Sequence, residues 1–132
     1  MEMTVDNSIF GAAQTDASQI TLAMLRNSAD CVKLLNTAGR ISFMSENGMC
    51  AMQIDTPDMV VGKTWWDLWP QEARATLQAS FETALKGEDT TMTGACPTAK
   101  GEPRAWHVTL TPVKDAAGTV QSVLAVSRDV TA

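Results

Sequence analysis

The chain has 132 residues, with 10 Lys plus Arg against 15 Asp plus Glu and a formal net charge of -5 at pH 7. That length suits one domain with one core, and an acidic balance without a basic cluster argues against nonspecific binding to DNA, RNA or anionic lipid. No apolar run approaches the roughly 18 residues of a membrane-spanning candidate, and the first residues carry neither the basic nor the apolar block of a secretion signal, so a cytoplasmic location without membrane contact by this segment is expected.

Residues 1–15 show little periodicity and read as a flexible lead-in. From Asp16 to Ser28 the pattern predicts a flanking helix, capped by Asp16 or Ser18, whose apolar residues Ile20, Met24 and Leu25 need cover. That cover is either the domain's own sheet or a second copy of the chain, and a homodimer through this helix is the expectation.

Cys31 to Leu35 and Gly39 to Ser45 then read as a hairpin. Its turn runs through Asn36-Thr37-Ala38-Gly39-Arg40, with Gly39 supplying a positive φ. Ser45 is placed to cap a short helix through Met52, and Pro57 sits just inside another helical turn, where a missing N–H costs nothing. Trp65, Trp66 and Trp69 concentrate three of the four tryptophans in one short segment. Pro70 ends that segment, and Gln71 to Leu85 predicts the one long helix, with Ala73, Leu77, Phe81, Ala84 and Leu85 buried and Gly87 as its stop.

The last third reads as a meander of three strands: Asp89 to Pro97, Arg104 to Val113 and Thr119 to Val130. Along the second, Trp106, Val108 and Leu110 alternate with His107, Thr109 and Thr111, the mark of a strand with one packed face. The third is more continuously apolar and is the candidate central strand, with both faces covered. Two strands, short helices, one longer helix and three strands make an α+β order.

Several local sequences carry a resemblance. They are the strand-turn-strand from Leu34 to Ile41, the helix start Ser45-Glu46-Asn47, the segment Val61-Gly62-Lys63-Thr64-Trp65-Trp66, the strand end Thr109 to Asp115, and the closing Gly118-Thr119-Val120 with Ser127-Arg128-Asp129-Val130-Thr131. In this order the chain resembles the PAS domain family, the sensory modules of bacterial histidine kinases and related signalling proteins, over residues 29–131. The resemblance implies a five-stranded antiparallel sheet of order 2-1-5-4-3 with helices over one face. It also implies a regulatory sensory domain of a larger two-component or related protein, relaying a small ligand or an assembly state to a downstream effector domain in the same chain. A ligand-free dimerisation module is the alternative.

The resemblance can be taken to individual residues. Flavin photoreceptors of this fold form an adduct with a Cys, and the matching position here is Trp65. Haem-binding members of the oxygen-sensing type use a His on the long helix, and 71–87 contains none, so a covalent flavin adduct and haem are not expected. Noncovalent flavin or another small molecule stays open. The tryptophan cluster either lines a cavity between helices and sheet or fills it. If a cavity exists, Trp65 and Trp66 would offer stacking surface, and Ser45, Asn47, Thr109 and Ser127 polar contacts. Asp129 and Thr131 are the expected junction to the effector. Asp55 and Asp58 lack a basic or metal partner in sequence, so no enzyme is expected. Cys31, Cys50 and Cys96, scattered and with a single His107, read as free thiols rather than zinc ligands.

Overall fold

The computed structural model describes residues 30–132. The lead-in 1–15 and the expected helix 16–28, with Ile20, Met24 and Leu25, lie outside the described residues. The element order is β1 (Cys31–Leu35), β2 (Ile41–Met44), α1 (Glu46–Ala51), two 3-10 turns (Pro57–Met59 and Trp65–Leu68), α2 (Gln71–Leu85), β3 (Thr90–Ala95), β4 (Ala105–Lys114) and β5 (Val120–Asp129). The strands form one antiparallel sheet of order β2-β1-β5-β4-β3, so the last strand is central and hydrogen-bonded on both edges.

Alternation decides which side of each strand builds the core. Cys31, Lys33 and Leu35 on β1, Trp106, Val108 and Leu110 on β4, and Val123, Ala125 and Ser127 on β5 are all buried. Against them pack Leu77, Phe81 and Ala84 of α2, one stripe at helical spacing. On the opposite face, Leu124 and Val126 of β5 and His107, Thr109 and Thr111 of β4 stay half-buried. The central strand is therefore fully covered on one face only among the described residues, because β5 keeps its small and polar side chains on the helical side and part of its aliphatic surface on the other.

Two close approaches fix the helical layer. Ser45 caps α1 by accepting from the backbone N–H of Gly48 at 3.1 Å, and the same hydroxyl accepts from Val32 N–H at 3.1 Å. The helix start is thus tied to β1. A Cβ on Gly48 would lie 2.9 Å from Cys31 Cα, so only glycine permits that approach. The β1–β2 turn is closed by Gly39 N–H donating to the Asn36 carbonyl at 2.9 Å, while the Asn36 side chain accepts from Ala38 and Arg40 N–H groups. Gly39 has φ +81° and its carbonyl accepts from Trp65 N–H, which seats the tryptophan segment against the hairpin.

Candidate ligand cavity

Enough space is left between the helical layer and the sheet for a cavity of about 320 Å³. Lys33 of β1, Ile41 and Met44 of β2, Met52 and Ile54 after α1, Met59 and Val60, the Trp65–Trp69 segment, the loop Cys96–Ala99, Trp106 of β4 and Ser127 of β5 form its wall. Most of that wall is aliphatic, thioether or aromatic surface, which suits an apolar occupant and, at the methionines, adapts to its shape.

The tryptophans divide between lining and filling. Trp65 and Trp69 are buried and meet edge to face at 6.2 Å between ring centroids, and both contribute to the wall. Trp66 turns the other way, packing on Phe81 at 5.4 Å and beneath the Gly39 turn. Trp106 also lines the cavity, its indole N–H donating to the Cys96 carbonyl at 3.0 Å. The Trp65 indole N–H, by contrast, is buried without an acceptor among the described residues.

At one end of the cavity the wall turns polar. Lys33 is only 5% exposed, and its ammonium donates to Ser127 Oγ at 3.0 Å and to Cys31 Sγ at 3.3 Å. Among the described residues no Asp or Glu lines the cavity and none pairs with Lys33. Burial pushes the Cys96 thiol above its ordinary value, and the nearby Lys33 charge pulls the other way. Thr98 is occupied at the rim, bonded to the Gln53 side chain and to Glu102 N–H.

Of the residues expected to contact a ligand, Trp65 and Ser127 are brought together in the wall. Ser45 is buried nearby, yet its hydroxyl accepts from two backbone N–H groups in its capping role. Asn47 lies on α1 outside the wall, and Trp66 is taken up by Phe81. Thr109 belongs to the far face of the sheet, between Thr91 and Val126, because β4 turns Trp106, Val108 and Leu110 inward. Trp69 joins the wall as one of the clustered tryptophans, and Lys33 and Trp106 join it without having been singled out. For Lys33 the signal was its place two residues from both Cys31 and Leu35 on a strand, which puts it on their face.

At the end of β5, Asp129 Oδ1 accepts from Thr131 N–H at 2.9 Å and from the Thr131 hydroxyl. The Thr131 hydroxyl oxygen accepts in turn from Ala105 N–H at 2.9 Å, and Arg104 stands 3.3 Å from the Asp129 carboxylate. These contacts clip the chain end to the start of β4. Asp129 is held below the usual carboxylate range first by the Thr131 hydroxyl, then by the Thr131 N–H, with Arg104 adding to the effect and slight desolvation opposing it.

A family model of the PAS fold matches residues 25–132. The chain belongs to the PAS-fold family. Solved PAS domains share its architecture at low identity. One, from an HTR-like protein of Haloarcula marismortui, has a TM-score of 0.72 at 19% identity, covering 93% of this chain and 99% of that one. A PAS domain from Colwellia psychrerythraea gives 0.76 at 13% identity over 88% and 98%. The PAS-B domain of Drosophila melanogaster Cycle, with bound ethylene glycol, gives 0.65 at 12% over 75% and 98%. No curated protein matches the sequence significantly. Membership of the PAS-fold family makes the domain a sensory module. No group of three or more His, Cys, Asp or Glu among the described residues is placed to hold a metal ion, and no helix among them is long and apolar enough to cross a membrane.

Proposed function

We propose that the domain, residues 29–131, senses a small molecule in the cavity and relays its presence to an effector domain of a larger cytoplasmic signalling protein, a histidine kinase by preference. The observation that carries this reading is the cavity of about 320 Å³, apolar over most of its wall and polar at the Lys33–Ser127 end. Pockets that hold small molecules have this character and start at about this size. Of the expected contacts, Trp65 and Ser127 are the two we retain as ligand-facing, and Asp129 with Thr131 is the exit to the effector.

The helix 16–28, through Ile20, Met24 and Leu25, is proposed to pair two copies. Sedimentation of the full chain and of one lacking residues 1–28 tests this, and equal monomeric masses would reject it. The sensing reading is tested by labelling the methionine methyl groups and screening small molecules by NMR. Binding in the cavity shifts Met44, Met52 and Met59 together while leaving Met92, which is outside the wall, in place. If no small molecule perturbs these three methyls, the ligand-free dimerisation module replaces sensing.

A further inference from the structure

Resting on the sensing reading, we infer that the cavity selects a small apolar molecule carrying one anionic group, a monocarboxylate, held by the Lys33 ammonium. An ammonium has three donor protons and no acceptor. At Lys33 two acceptors are in place, the Ser127 hydroxyl and the weakly accepting Cys31 sulfur. Among the described residues one N–H is left without a partner, and the positive charge is left without a counter-charge, at a site 95% shielded from solvent.

Burying a charge without a pair is costly, and an anionic occupant would offset that cost by a charge-assisted hydrogen bond in a dry environment. The surrounding groups favour the same sign. Among the described residues the Trp65 indole N–H is a second buried donor without an acceptor, and no carboxylate lines the wall to repel an anion. Beyond the polar end, Ile41, Met44, Val60 and Trp69 offer only apolar surface, so a second charged group on the ligand would find no partner there. A volume of 320 Å³ holds about ten groups of water size, at ~30 Å³ each. An acid of about that many non-hydrogen atoms, such as octanoate or phenylacetate, fits the space.

The test compares octanoate with octanamide, its neutral counterpart of the same length, on the full chain, following the methionine methyl signals and the dissociation constant. Octanoate is expected to bind at least tenfold more tightly than octanamide, with Met44, Met52 and Met59 shifting. Lys33→Met, which keeps most of the side-chain volume, is expected to bring the two ligands within twofold of each other. Equal binding of octanoate and octanamide to the unaltered chain would overturn the anion preference while leaving small-molecule sensing intact. Failure of both to shift the cavity methyls would overturn the monocarboxylate assignment, and binding of unrelated neutral molecules would then show that sensing survives without it. Because the acid–amide comparison is made on the unaltered chain, it decides even if Lys33→Met does not fold.

Discussion

Gly39→Ala tests how the hairpin and the tryptophan segment hold each other. The left-handed φ of +81° strains any L-residue with a Cβ, at about 1–2 kcal/mol. The added Cβ would also lie 2.4 and 2.5 Å from Trp66 Cη2 and Cζ3, below any normal contact distance. Trp66 cannot yield freely, since its ring is packed against Phe81, so this overpacking adds about 1–3 kcal/mol. Alanine also restricts the unfolded chain, which returns about 0.4–1 kcal/mol. The net expectation is a loss of about 1–4.5 kcal/mol, read as a fall in the urea midpoint of about 0.5 M or more for a domain of this size. Repeating the substitution in a Trp66→Ala background separates the two costs, because the steric part disappears there and only the backbone part remains. An unchanged urea midpoint would refute the whole argument, and an equal loss in both backgrounds would refute its steric half.

Ser45→Ala removes the acceptor of two N–H groups, Gly48 and Val32, and is expected to destabilise the domain by about 2–4 kcal/mol, more than an exposed cap would; a loss under half of that in urea unfolding would show that both N–H groups find other partners. Asp129→Asn is expected to cost less than about 1 kcal/mol at neutral pH, because the carboxylate is exposed and solvent screens it. The sign of its pH dependence follows from the lowered folded-state value: the wild-type advantage is complete above the unfolded carboxyl value of about 3.9 and is lost as pH falls through the lower folded one. Parallel wild-type and variant stability curves down to pH 2 would contradict it.

Much of the fold was legible because local signals agreed. Pro70 and Gly87 bracket α2 at the observed bounds, and Leu77, Phe81 and Ala84 of the expected stripe are buried, with Ala73 and Leu85 half-buried at its edges. The alternation of β4 gave its inner face correctly, from Trp106 to Leu110. The chemistry of the cavity was harder to read because it depends on register between distant strands. Lys33 and Ser127 are 94 residues apart and meet only because β1 pairs with β5 so that Cys31 stands opposite Ser127. A lysine within an apolar strand is expected at the surface, and nothing local marks this one as buried. The tryptophan cluster was ambiguous for a related reason: three neighbouring rings point to different sides of a 3-10 turn, and sequence spacing alone does not say that Trp66 goes to Phe81 while Trp65 and Trp69 go to the cavity.

The same register suggests how occupancy of the cavity reaches the chain end, and it yields a last prediction. Ser127 and Asp129 are alternate residues of β5, so the strand that holds the Lys33 partner ends two residues later in the Asp129–Thr131 clip on Ala105. An anion that draws the Lys33 ammonium toward itself would loosen its bond to Ser127, the last β5 residue paired on both edges, and the residues just beyond it, Arg128 and Asp129, are held by β4 alone. Linkage then makes a strict demand: if ligand alters the stability of the clip by some factor, breaking the clip must alter ligand affinity by the same factor. The expectation is that octanoate shifts the Thr131 and Ala105 amide signals and changes their hydrogen-exchange protection by a factor of several, and that Asp129→Ala changes octanoate affinity by a matching factor. Amide signals that move in the cavity but not at Ala105 and Thr131, together with an unchanged affinity in Asp129→Ala, would show that the clip is only a strand terminus and that the signal leaves by another surface, with residues 16–28 next in line.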